Sequence, residues 1–335
     1  MKAAHTPNIV VIGGGTGSFA VLSGLRQLDC NVTALVGMAD DGGSSGQLRD
    51  DLGVLPPGDV RQCLVALSDD SDELRQLFNF RFHEGDLAGH TFGNLFLSAV
   101  EKMTDDFGQA VRMAGEVLRV KGSVVPITLD NVRLVAVWAD NTKMYGERQI
   151  DDAHFITQKG RPQLYLEPEA HINPLAAQAI AQADMVVIAP GDIYTSLGPL
   201  LVVQGMADCL AATRATVVYV CNLVTKPGHT QGFTVADHAA EIERFAGSPV
   251  IDYVLYNTAP PGKRILERYA RAHELPVQPN QPQLAAAPYT AIGRKLVAAD
   301  MPVPQKGDAL AATRSFIRHD ATKLAHELIN LIRMS

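Results

Sequence analysis

Nothing in this chain of 335 residues approaches the ~20 consecutive apolar residues that a membrane-spanning helix needs, so no membrane span is expected. Charge of either sign is scarce. The 29 Lys and Arg against 36 Asp and Glu leave a net charge of −7, and the basic residues stand singly rather than in a stripe. A duplex-binding surface needs such a stripe, which argues against nucleic acid as a partner, and against anionic membrane for the same reason. The four cysteines, Cys30, Cys63, Cys209 and Cys221, form no CxxC pair. That usage fits a reducing compartment, each thiol serving as a small buried hydrophobe. The ten histidines show neither HxH nor HExxH spacing, which argues against a structural zinc site. The opening MKAAHTPNIVVIGG has one lysine and a short apolar run before glycine, a first strand rather than a signal peptide. A soluble, cytoplasmic protein is expected.

What the chain does have is apolar sequence, 47% of it, in alternating strand and helix patterns. NIVVIGG reads as a parallel strand buried on both faces, Phe19–Leu28 has helical spacing, and NVTALVG supplies a second strand. Helical patterns follow at Val60–Leu67, Thr91–Met103 and Phe107–Val120. SVVPITL, VRLVAVWADN and TKMYGERQI read as extended segments joined by an Asp-Asn turn, which predicts a β-hairpin insertion over about 122–166. The alternation resumes with MVVIAPG, ATVVYVCNLV and IDYVLYN, separated by helical segments. Residues 276–313 are richer in Pro, Gln and Ala and read as irregular apart from RKLVAA. ATKLAHELINLIRM closes the chain as an amphipathic helix. The expectation is a single α/β domain over 1–335: a Rossmann-like, doubly wound, mostly parallel sheet flanked by helices.

Ligands of such sheets bind outside the carboxyl ends of the strands, where loops lead into helix N-termini. Four loops fall there: GGGTGS (13–18), GMADDGGSSG (37–46), APGDIYTSLGP (189–199) and CNLVTKPGHTQG (221–232). The second and fourth exceed the ~2–6 residues of ordinary connections. GGGTGS follows a strand and opens a helix, so its glycines would let an anion approach the free N–H groups. It departs from G-x-G-x-x-G at Ser18 and lacks the lysine of a Walker A loop; a tight turn without ligand is the bland alternative. Asp40 and Asp41 stand where dinucleotide folds keep a ribose-binding acid. Mg²⁺ is their other candidate occupant, and simple solvation of the loop is the third reading. Adjacent side chains point apart, so one of the two is expected to face the ligand. Gly42–Gly46 also satisfies G-x-S-x-G, but a hydrolase elbow needs its serine on a sharp strand-to-helix turn without two preceding aspartates. In PPGDVRQC, Asp59 reads as a helix cap, and Arg61 as either a phosphate contact or a surface residue.

Taken together, VIGGGTGS, MADDGGSSGQLR, LPPGDVRQCLVAL, GHTFGNLFLSAV, APGDIYTSLGPL, CNLVTKPGHTQGFTVADH and RHD resemble the YvcK family, the gluconeogenesis factors of the CofD-like superfamily. The resemblance implies a fold that binds UDP-sugars, notably UDP-N-acetylglucosamine, and links carbon metabolism to cell-envelope construction, with no reaction firmly attached. It implies Gly14, Thr16, Gly17, Asp40, Asp41, Ser44, Ser45, Asn94, Tyr194, Thr195, Ser196, Asn222 and Thr225 as ligand-lining residues. Tyr269 and Arg318 join them by matching a late tyrosine and the arginine of R-H-D. A homodimer is implied as well. The other branch of the superfamily transfers a phospholactyl-type group onto a deazaflavin with Mg²⁺. It shares the Ala-Asp-Asp but lacks the Gly-Gly-Ser-Ser run and the PPGD-x-R block. Gln62 replaces the family's usual Asn, and Asp192 its usual Ser, adding a carboxylate to a presumed phosphate loop.

Overall fold

The computed structural model describes residues 5–153, 156, 158–260, 262, 267, 273–298 and 317–334. Seven strands form its main sheet: β1 (Asn8–Ile12), β2 (Asn31–Val36), β3 (Ser123–Pro126), β7 (Met185–Ile188), β8 (Thr216–Val220), β9 (Tyr253–Asn257) and β10 (Thr290–Arg294). They run in the order β10-β9-β8-β7-β1-β2-β3, and every pairing is parallel. Chain order reverses direction between β1 and β7, which is the switch point of a doubly wound sheet.

Both faces of the sheet are covered, which is why its inner strands read as continuous apolar runs. Val10, Ile12, Val186, Ile188, Val217 and Tyr219 face one core, shared with helices α8 (Pro174–Ala181), α10 (Met206–Ala212) and α11 (Val235–Ala246). Ile9, Val11, Val187, Val218 and Val220 face the other. That second core takes α1 (Gly15–Leu25), α3 (Gly58–Leu67), α5 (Phe92–Thr104), α6 (Phe107–Val117) and the carboxyl-terminal helix α13 (Ala321–Met334). Leu324, Leu328 and Leu331 are the buried stripe of α13, as its periodicity predicts.

The insertion differs from the sequence expectation at its start and in its middle. SVVP does not belong to a hairpin; it is β3, the edge strand beside β2. The hairpin itself is β4 (Arg133–Val137) with β5 (Lys143–Tyr145), turning through Asn141, and β6 (Gln163–Glu167) joins the far side of β4. GERQI, expected to be extended, instead breaks at Gly146, whose φ is +90°, and forms the short helix α7 (Glu147–Asp151). The part of 276–313 that is described, 276–298, departs from expectation, since it includes α12 (Gln281–Ala285) and β10, which extends the sheet beyond β9; residues 299–313 lie outside the described residues. No helix among the described residues is long and apolar enough to cross a membrane.

Candidate functional site

Loops 13–18, 37–46, 189–199 and 221–232 leave the carboxyl ends of β1, β2, β7 and β8, four adjacent strands centred on the switch point. The sheet therefore gathers all four polar loops into one crevice, and α3 and α7 bring further charge to it.

The glycine loop is packed tightly by the protein itself. A Cβ on Gly14 would lie 1.9 Å from an Asp59 carboxyl oxygen, and one on Gly17 would lie 1.8 Å from the Pro190 carbonyl. Gly17 is thus where α1 touches the loop after β7. Thr16 lies in the first turn of α1. Asp59 does not cap its own helix, contrary to expectation: α3 has no side-chain cap, and the Asp59 carboxylate instead accepts from the Gly15 N–H at the start of α1. Burial first, then the charge of Asp40, pushes this carboxyl up to about 7, against the pull of Arg61.

Asp40 and Asp41 diverge, as adjacent side chains should. Asp40 turns inward, accepting from the Gly42 N–H at 2.9 Å and from the Ser45 hydroxyl. Burial raises its pKa, with Asp41 adding to that, while those two donors and Arg49 oppose it. Asp41 turns to the insertion, accepting from the Arg148 N–H at 2.8 Å and lying against Gly146, so it holds the amino end of α7. The pair does not converge on one point, and no group of three or more His, Cys, Asp or Glu among the described residues is arranged to hold a metal ion. Asp41→Ala is expected to remove a helix cap and cost about 1 kcal/mol, read as a lower melting temperature and faster amide exchange over 147–151. Unchanged exchange there would show that the cap is unimportant.

Behind this loop runs a buried polar chain. Ser44, in the first turn of α2 (Gly43–Leu52), has its Oγ 3.0 Å from His90 Nδ1 and accepts from the Asn94 amide at 3.0 Å. Asn94 in turn accepts from Arg61 Nε at 3.0 Å, and Arg61 also donates to Asn79. All of Ser44, Ser45, Arg61, His90 and Asn94 are buried. Arg61 is therefore not a surface residue; it fixes Asn94, which fixes Ser44. The serine of G-x-S-x-G is held between an amide and an imidazole behind a long loop, not presented on an elbow.

On the other side of the switch point, the loops after β7 and β8 are clasped together. The Asn222 amide both donates to the Gly191 carbonyl (2.8 Å) and accepts from its N–H (3.1 Å). Asp192 accepts from the N–H groups of Tyr194 and Thr195 at 3.0 and 2.9 Å, so a carboxylate of the chain itself fills that turn. Burial alone would raise the Asp192 pKa, but Lys226, 3.2 Å away, and His229 outweigh it and hold the group well below the usual range. Lys226 also pairs with Asp151, to which the Thr195 hydroxyl donates at 3.3 Å. Ser196 follows in the same turn and is itself half-buried. Tyr194 is placed in the core against Phe245, and Thr225 is buried, its hydroxyl accepting from the Leu275 N–H.

Arg318 reaches this end of the sheet from far along the chain. Its neighbour Ile317 packs with Leu223, and His319 is held against Cys221 at the exit of β8. Tyr269 lies outside the described residues. Sequence reasoning passed over Arg49, His90, Glu147, Asp151 and Lys226, all of which meet at this crevice. Only Lys226, a lone cation inside a predicted ligand loop, carried a usable signal. Glu147, on α7, is pushed well above its ordinary pKa by burial and then by Asp40, Asp59, Asp151 and Asp41.

These features define a class: Rossmann-like α/β proteins whose loop-built crevice lies at the switch point of a parallel sheet, beneath an inserted antiparallel one. The family profile described as 2-phospho-L-lactate transferase CofD matches residues 9–297. A gluconeogenesis factor of Listeria monocytogenes is 40% identical over 79% of this chain and 82% of its own. One from Listeria innocua is 35% identical over 99% and 98%. The crystal structure of a UPF0052 family member from Bacillus halodurans covers 98% of this chain and 100% of its own, with a TM-score of 0.87 at 34% identity. The chain belongs to the CofD-like superfamily, in its branch of YvcK-type gluconeogenesis factors, the UPF0052 family.

Proposed function

We propose that the protein is a UDP-sugar-binding regulator, with UDP-N-acetylglucosamine as its ligand, that couples gluconeogenic growth to cell-envelope construction as a cytoplasmic homodimer. The observation that carries this reading is the convergence of four polar loops and the Arg318 segment on one crevice. Its serine sits in a buried chain, accepting from Asn94 and lying 3.0 Å from the His90 imidazole, behind the loop rather than on an exposed elbow. The glycine loop and the free N–H groups at the start of α2 suit a diphosphate, Asp40 suits sugar or ribose hydroxyls, and Arg318 supplies a cation from the far side. Calorimetry with UDP-N-acetylglucosamine should show saturable binding. Arg318→Ala should weaken it roughly ten- to hundredfold, the cost of about 1.5–3 kcal/mol for losing a charged contact. No heat and no thermal shift with any UDP-sugar would end this reading.

A transferase of the CofD type is the second reading, favoured by the description of the matching family profile. Incubation with a deazaflavin, Mg²⁺ and a phosphoenolpyruvate-derived donor tests it: product formation would replace the regulator reading, and its absence alongside UDP-sugar binding would remove the transferase.

A further inference from the structure

The start of α1 already has an anion on it. Asp59 reaches across from α3 so closely that only glycine fits at position 14, and its carboxylate takes the Gly15 N–H that a phosphate at this loop would use. The groups facing Asp59 are predominantly acidic: Asp40 from the loop after β2 and Glu147 from α7, with Asp41 and Asp151 behind them. Against them stand Arg61, committed to Asn94 and Asn79, and Arg49. Lys226 is paired with Asp151 and Asp192. Arg49 is an independent sign that an anion belongs here. Its Nε and Nη2 donate to Asp50 at 3.2 Å, but the side chain is 5% exposed, its charge acts on Asp40, and its Nη1 has no hydrogen-bond partner. A buried guanidinium N–H without a partner carries a desolvation cost that an acceptor removes.

We propose that Asp59 is a specificity residue that admits a diphosphate capped at both ends, as in a nucleotide-sugar, and turns away a nucleoside diphosphate with a free terminal phosphate. This deepens the UDP-sugar reading and rests on it. Each phosphate of a capped diphosphate carries one negative charge. A free terminal phosphate, with a second pKa near 6, carries up to one more at neutral pH. That extra charge meets a carboxylate inside a partly desolvated crevice, where the repulsion between unit charges a few ångströms apart is strong and falls only slowly with distance. The repulsion therefore acts on a diphosphate lying anywhere along loops 13–18 and 37–46, and not only on a phosphate against Gly15.

Calorimetry in metal-free buffer, with UDP-N-acetylglucosamine and UDP as the two probes, tests this at pH 8 and pH 6. The wild-type protein should prefer the capped ligand at least tenfold at pH 8. The preference should shrink at pH 6, where Asp59 and the terminal phosphate both take up protons. Asp59→Asn should tighten UDP much more than UDP-N-acetylglucosamine, bringing the two within about threefold at pH 8. A preference unchanged by the substitution at pH 8, or UDP binding as tightly as the capped ligand to the wild type at pH 8, would overturn the assignment. Asp59→Ser is a second uncharged variant that keeps the test open if Asp59→Asn folds poorly, because the pH step by itself also titrates the terminal phosphate and Glu147. Wild-type protein that binds neither probe at either pH ends the nucleotide-sugar reading and this one with it; a failed preference with intact binding ends only this one.

Discussion

Gly17→Ala is expected to lower the stability of the protein by roughly 3 kcal/mol, because the added methyl would sit 1.8 Å from the Pro190 carbonyl carbon's oxygen and 2.7 Å from that carbon. The partner is backbone, not the end of a flexible side chain, so α1 and the loop after β7 must separate. For a chain of this size that is a fall of roughly 5 °C in melting temperature. Because those two elements flank the switch point, affinity for the proposed nucleotide-sugar should fall with it. Scanning calorimetry and a binding titration on the one variant check both effects. A melting temperature within 1 °C of wild type, on the order of the measurement error, would mean the two elements are looser than their packing indicates.

Asp59→Asn should have the opposite effect on stability, and only at the basic end. The folded protein holds the Asp59 proton until about pH 7, whereas an unfolded aspartate releases it near pH ~3.9. Between those values the folded state binds more protons than the unfolded state, so stability falls as the pH rises. The loss is complete above about 7 and amounts to roughly 2–4 kcal/mol, allowing for the partial exposure of the group. Asparagine keeps an acceptor for the Gly15 N–H and has no charge to bury. The variant should match wild type near pH 4 and exceed it by several degrees at pH 8. Parallel denaturation profiles of the two proteins from pH 5 to 8 would refute this placement of Asp59.

The sheet was legible because its inner strands are wet on neither face: NIVVI, MVVI and TVVYV carry apolar side chains at every position that must be buried. β10 escaped notice because TAIGR is a half-buried edge strand with little apolar signal. α7 escaped because five residues are too few to show helical periodicity, and the neighbouring KMY is a true strand. In the crevice, the loops followed from the sheet rule, but the directions of side chains did not. Nothing in Asp40-Asp41 says which one turns to the insertion, and nothing in PPGDVR says that Asp59 caps α1 rather than α3. Those choices are set by residues far along the chain, Arg148 and Gly15, that only the fold brings near.

The ties on α7 bear on how fast anything can come and go. Its amino end is fastened to Asp41, and its carboxyl end, through Asp151, to Lys226 and Thr195. Each such contact contributes on the order of 1 kcal/mol net, and Ile150 of the same helix, 0% exposed, adds roughly 2 kcal/mol by its burial, so roughly one molecule in several thousand is open at any instant. Ligand that enters past α7 must wait for that minority. Capture would then run roughly a thousandfold or more below the usual 10⁵–10⁷ M⁻¹s⁻¹ of unhindered docking, with departure slowed in step. A protein built this way averages a metabolite's concentration over time rather than following its momentary swings.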